Sequence, residues 1–192
     1  SVGGLDICLC ASGREALARI AEVDGNKPMA IDHYEAILAY NPEYIPAHMN
    51  LARIYKSEKN MEKTKESLEK VLEIKDDHAT AANEMAYILA DEGNQLQRAL
   101  NLARIAESQV PNNPHILDTL GWIYYKQKSY ELAITKLLSS LDINPDNPIT
   151  NYHLGWAYYD TGRYEQARAY MKIALKLDPN FEGAQKARNI IG

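Results

Sequence analysis

The sequence predicts an all-α fold: a stack of five similar helix-turn-helix units followed by a short closing helix. Three observations predict it. One chemical pattern recurs every 34 residues, in segments that begin at Ala11, Ile45, Ala79, Pro114 and Pro148, and such a period marks a repeat architecture, not one compact core. Within each segment the apolar residues keep a helical spacing. Leu154, Ala157 and Tyr158 do so before a turn, and Ala167, Tyr170, Met171, Ala174 and Leu175 do so after it. The strand signal, β-branched runs with strict alternation, does not occur.

The elements follow in order. Ser1 to Cys10 stands ahead of the first clear unit and in register would be the tail of a preceding repeat, although Gly3-Gly4 makes a poor helix interior. Cys8 and Cys10 form a Cys-x-Cys pair without the further ligands that a metal site needs, so they read as two thiols in an apolar segment. The units then run over 11–44, 45–78, 79–113, 114–147 and 148–181, the third stretched by one residue in the Gly93 to Arg98 turn. The seventh place of each holds Leu17, Leu51, Met85, Leu120 or Leu154. The eighth holds Ala18, Ala52, Ala86, Gly121 or Gly155, and the twentieth Ala30, Thr64, Ala99, Ala133 or Ala167. Small residues there predict close approach of two helix backbones, which a longer side chain would wedge apart. Gly25, Gly93 and Gly162 suit the left-handed end of a helix, whereas Lys59-Asn60 and Lys128-Ser129 predict less tightly specified turns. Pro42, Pro111, Pro145 and Pro179, with Asp76 in the second unit, close the units. Residues 182–192 begin a sixth unit and stop within its first helix. Phe181, Ala184, Ala187, Ile190 and Ile191 fall near one face, as a cap over the last second helix would require.

These residues carry a resemblance. The stretches "NYHLGWAYYDTGRYEQARAYMKIALKLDPN" (Asn151 to Asn180) and "LDTLGWIYYKQKSYELAITKLLSSLDINPD" (Leu117 to Asp146) resemble the tetratricopeptide repeat (TPR) family, with its Leu-Gly, Tyr, small Ala and closing Pro. The likeness covers Ala11 to Phe181; the second unit departs most, and the first has Ala21 where the family's Tyr stands. It implies paired antiparallel helices stacked into a right-handed superhelix, an α-solenoid whose concave face binds peptide segments of partner proteins.

Composition narrows the function classes. With 46% hydrophobic and 24% charged residues the chain is globular, not disordered. A net charge of −5 without a basic stripe argues against nucleic acid. No segment reaches the length of a membrane span, and no signal segment is visible, so a soluble protein is expected, its compartment open with the cytoplasm slightly favoured. The start Ser-Val-Gly-Gly, without methionine, suggests a processed or excised product. No phosphate loop, His-Glu-x-x-His or Gly-x-Ser-x-Gly occurs, so neither an enzyme nor a cofactor is expected. His33, His48, His78, His115 and His153 are spread over the units and read as solvated or hydrogen-bonded surface residues, not metal ligands. Carboxylates alternate with lysines, as in Glu62-Lys63, Lys65-Glu66 and Glu69-Lys70, which is the pattern of a solvated face.

The candidate binding residues lie on the first helix of each unit. At about 100° per residue, the second, fifth, ninth and twelfth places point away from the internal stripe and should line the open groove. The ninth place holds Arg19, Arg53, Tyr87, Trp122 and Trp156; the twelfth ends with Tyr125 and Tyr159, and the fifth with Tyr152. The groove is therefore expected to be cationic toward its N-terminal end and aromatic toward its C-terminal end. Tyrosine in the fifth and twelfth places is common in the family, which favours packing over binding for Tyr125, Tyr152 and Tyr159. The family's usual ninth residue is polar, so Trp122 and Trp156 suggest a surface for apolar ligand side chains, unless a loop or the chain's own terminus covers them. The family's carboxylate clamp is not matched. Glu15, Arg19, Asn50, Thr80 and Glu84 stand at its places and only Asn50 agrees, although Arg19, Asn50 and Arg53 could still hold an acidic ligand residue. The expected function is a non-enzymatic scaffold that binds a partner's peptide. Self-assembly, or service as the regulatory region of a larger protein, is the alternative.

Overall fold

The structure is a computed structural model and describes residues 11–191; the segment with Cys8 and Cys10 lies outside the described residues. Five helical hairpins follow one another: α1 (Ala11–Val23) with α2 (Lys27–Tyr40), α3 (Ile45–Ser57) with α4 (Met61–Ile74), α5 (Ala79–Glu92) with α6 (Leu96–Gln109), α7 (Pro114–Lys126) with α8 (Tyr130–Ile143), and α9 (Pro148–Asp160) with α10 (Tyr164–Leu177). A last helix, α11 (Ala184–Ile191), follows. No strand occurs among the described residues.

Local chemistry places the helix ends. Asn26 and Asn60 accept from the amides of Met29 and Lys63, and Asn113 and Asn147 each accept from two amides while Pro114 and Pro148 open the helices behind them. These side chains satisfy backbone donors that have no partner inside the helix. Gly25, Gly93 and Gly162 turn the chain at φ 73°, 73° and 76°. Lys59 and Lys128 make the same left-handed turn, at φ 59° and 61°. The expectation of looser turns there is corrected: the backbone amides of Asn60 and Ser129 donate to the carbonyls of Tyr55 and Tyr124 at 2.9 and 2.8 Å, as Arg163 does to Tyr158 at 2.9 Å after the glycine turn. The substitution shows instead as a conformational cost of about 1 kcal/mol relative to glycine. The turn with one additional residue holds two left-handed positions, Gly93 and Gln95.

The described residues form two compact bodies, 11–81 and 82–191. In the first, Ala18, Ala21, Ala30, Tyr34, Ile37, Leu51, Ile54 and Tyr55 form the core. Leu51 meets the preceding hairpin there, and the seventh-place Met85, Leu120 and Leu154 are equally buried. Leu17 is the exception, 43% exposed, because no described helix precedes α1 to receive it. In the second body one core joins Ala133, Ile134, Leu137, Leu154, Ala157 and Ala167. Another joins Tyr152, Met171, Ala174, Phe181, Ala184 and Ala187, where α11 docks on α10.

The small eighth places are tight. A Cβ on Gly121 would stand 2.5 Å from Leu137 Cγ, and one on Gly155 would stand 2.9 Å from Met171 Cε. Replacing Gly155 or Ala167 by leucine is therefore expected to cost about 1–3 kcal/mol through overpacking. Chemical denaturation checks this; variants that melt like the parent would remove these residues from the seam between helices.

A candidate peptide-binding pocket

Three successive first helices build the main concavity of the second body. α5 contributes Tyr87 and Asp91, α7 contributes Trp122, Tyr125 and Lys126, and α9 contributes Ile149, Tyr152, His153 and Trp156. Glu182 and Gly183, just ahead of α11, and Lys186 in its first turn close the far side of a pocket of about 470 Å³. Five residues expected for the groove thus converge: Tyr87, Trp122, Tyr125, Tyr152 and Trp156. Tyr159 does not join them. It is 39% exposed and borders a smaller depression with Tyr164, Arg168, Asn189 and Ile190.

The two tryptophans differ. Trp122 is only 7% exposed, stacked against Tyr125 at 4.7 Å and against His153 at 4.1 Å, with Lys126 Nζ 4.9 Å from its ring. The expectation of an open surface at Trp122 is corrected: its ninth place meets the sixth place of the next repeat, and packing holds the indole as a wall. Its Nε1 is buried without a hydrogen-bond partner. Trp156 is half-buried and meets Tyr152 and Tyr159 edge-on, at 6.2 and 5.7 Å. It is the more accessible of the two tryptophans.

Polar bonds brace this surface. His153 Nδ1 lies 2.9 Å from Asp118 Oδ1, with both residues buried. His48, also buried, has Nε2 2.8 Å from the Pro42 carbonyl. The reading of the histidines as surface residues is corrected at these two positions, since a buried imidazole needs a polar partner and each has one. Tyr125 donates its hydroxyl to Asp160 at 2.8 Å, joining consecutive repeats. Tyr152 packs on Phe181 at 5.1 Å. Gly183 passes so close that a Cβ there would stand 2.7 Å from Tyr152 Cζ; its φ of 106° also favours glycine. Burial, first among the causes, raises the pKa of Tyr87, Tyr125 and Tyr152, and the Asp160 bond adds to it at Tyr125. All three phenols stay protonated at neutral pH.

The cationic end is neutralised. In the first body Arg19 pairs with Glu15 at 2.7 Å, and Arg53 reaches Glu22 at 2.5 Å and Asn50 Oδ1 at 3.1 Å. Glu15 and Glu22 also accept from Tyr44 and Tyr34. The expectation of net positive charge there is corrected, because the fifth and twelfth places of the first repeat supply carboxylates to the ninth-place arginines. A second depression of about 570 Å³ in this body involves Leu38, Leu51 and Tyr55, none of them groove candidates.

Reasoning on the sequence missed Asp91, Asp118, Lys126, Ile149, His153, Glu182, Gly183 and Lys186. Asp118 and His153 carried a signal, since they stand one repeat apart on adjoining places of the first helix. Glu182, Gly183 and Lys186 carried none, because they fall outside the five full repeats of the pattern. Among the described residues, no group of three or more His, Cys, Asp or Glu could hold a metal ion.

The hairpins, the small seam residues and the aromatic first helices define a helical-repeat protein of the solenoid class. Family models described as TPR or tetratricopeptide repeats match residues 29–88, 121–162 and 148–181. The chain belongs to the tetratricopeptide repeat family, and with it to a class of protein-interaction scaffolds that are in general not enzymes. Among solved structures, it is similar to PilW, a type IV pilus biogenesis factor, at 22% identity and a TM-score of 0.77 over 95% of this chain and 86% of that one. It is also similar to TTC0263, a thermophilic TPR protein of Thermus thermophilus, at 18% identity and 0.71 over 95% and 99%. YrrB, described as a TPR protein with an unusual peptide-binding site, matches at 16% identity and 0.70 over 94% and 93%. At these identities the likeness is one of fold. No curated protein matches the sequence. No helix among the described residues is long and apolar enough to cross a membrane.

Proposed function

We propose that the protein is a non-enzymatic scaffold that binds a peptide segment of a partner in the groove formed by the first helices of its second body, anchored in the pocket there. The observation that carries this reading is the convergence of Tyr87 of the third repeat, Trp122 of the fourth, Tyr152 and Trp156 of the fifth and the α11 entry on one concavity of about 470 Å³. Pockets of this size take one or two large side chains, and buried aromatic residues at their centre dominate binding energy. Tyr125 and Trp122 support the walls through Asp160 and His153. Arg19 is paired with Glu15, Arg53 with Glu22 and Asn50, and Asn50 with the Pro46 carbonyl, so the reading rests on the second body.

Panning a displayed library of random dodecapeptides on the full chain tests it. Selected peptides are expected to bind Trp156→Ala about tenfold more weakly or worse, the usual loss at an aromatic anchor, while the melting temperature moves much less than it does in Leu154→Ala. If no peptide depends on Trp156, the groove reading fails.

A further inference from the structure

We infer that the depression of the first body is an open seat for an aromatic side chain of a partner protein, a second binding site that does not rest on the groove reading. It lies between Leu38 of α2, Leu51 and Tyr55 of α3 and Ser67 of α4, and holds about 570 Å³. The second body carries the same site with its occupant in place. At the corresponding places of the fourth and fifth repeats stand Leu141, Leu154, Tyr158 and Tyr170. Tyr170 stacks on Tyr158, with ring centroids 5.6 Å apart and planes 18° apart, and packs with Leu141 against the core there. The correspondence extends to the polar frame: His48 Nε2 lies 2.8 Å from the Pro42 carbonyl, and Asn151 Nδ2 donates to the Pro145 carbonyl at 3.0 Å.

The difference lies in one place of the repeat. The fourth repeat fills it with Lys136, which pairs with Glu107 at 2.7 Å, and the third with the buried Leu102. Ser67 is too short to do either. Its hydroxyl turns back onto its own helix and donates to the Lys63 carbonyl at 2.9 Å. The second repeat therefore keeps the tyrosine floor and lacks the ring that lies on its counterpart. Lys63, an exposed side chain, holds Nζ 4.9 Å from the centroid of the Tyr55 ring instead, and an exposed cation gives up such a contact at little cost. A flat ring suits the seat because stacked aromatic pairs gain more than the area they bury, as Tyr158 and Tyr170 do in this same chain. The ring has to come from outside this neighbourhood, since Ser1 to Cys10 contain no aromatic residue. Exposed charges of both signs, Glu35, Glu66, Lys63 and Lys70, rim the seat. One apolar seat inside a charged rim fits a single inserted side chain, not the broad apolar face of a self-associating surface.

Titration of the full chain with N-acetyl-tyrosinamide, followed by two-dimensional NMR, tests the inference. Saturable shifts are expected at Leu38, Tyr55 and Ser67, with none at these residues from N-acetyl-leucinamide. Ser67→Tyr, which supplies the ring from within, is expected to abolish them, and Trp156→Ala to leave them unchanged. Intermolecular nuclear Overhauser effects from the probe ring to the Leu38 methyls and the Tyr55 ring in the parent protein decide the matter even where Ser67→Tyr fails to fold. Absence of those effects, an equal response to the leucine compound, or shifts that survive in a folded Ser67→Tyr variant would overturn the seat. Concentration-dependent dimerisation that Ser67→Tyr removes would overturn the partner and assign the seat to a second copy of the chain.

Discussion

Trp122→Ala is expected to lower the unfolding free energy by about 3–5 kcal/mol, in the range of a buried aromatic truncated to alanine. The indole is 7% exposed and sandwiched between Tyr125 and His153, so its removal leaves a cavity that neither stacked ring can fill without giving up Asp160 or Asp118. Leu154→Ala, in the centre of the same body and fully buried, should cost about 2–5 kcal/mol. A control grades the loss by size. Trp122→Phe keeps a stacked ring and loses only part of the buried area, so it is expected to fall between the parent and the alanine variant. Urea denaturation of the three variants checks the ranking. An alanine variant as stable as the parent would return Trp122 to the open surface.

That contrast shows where the sequence was legible. Helix order, seam positions and turn residues could be read because each is fixed by neighbours within one repeat. Gly155 opposite Met171, and Gly162 in its turn, are local facts. The burial of Trp122 is not local. It depends on His153, which belongs to the next repeat and is placed by the approach of α9 to α7. The charge at the other end fails for a simpler reason: Arg19 and Arg53 were read along one stripe without pairing them with Glu15 and Glu22 on the same stripe. The pocket's last wall was beyond reach, since Glu182, Gly183 and Lys186 precede or begin a helix that falls outside the five full repeats.

Ending the chain at Phe181 is expected to remove on the order of 3 kcal/mol of stability, from the burial lost at Ala184 and Ala187 and part of that at Ile190 and Ile191. The same deletion bares the surfaces of Met171 and Ala174 that α11 covers and favours association. An eight-residue helix is marginal alone. It is held by docking on α10 and by Arg188, which donates to the Pro179 carbonyl. Size-exclusion chromatography and thermal melting of the shortened chain decide the matter. A monomer of unchanged stability would show that residues 182–192 are a loose tail and that α10 closes the fold by itself.

The cross-repeat bonds that brace the second body have a kinetic meaning. The longest of them, Tyr125 to Asp160, Lys126 to Asp91 and His153 to Asp118, each span 35 residues, about one repeat. Closing a segment of that length costs little chain entropy, and no later step asks for a longer search. Folding can begin at any adjacent pair of hairpins and spread outward, and unfolding can stop one hairpin in. The pocket draws on α5, α7, α9 and the start of α11, so it exists only while that whole run is in place. Fraying of the C-terminal hairpin would release a bound segment while the first body kept its helices, which would make ligand residence time a report on how firmly that hairpin is held.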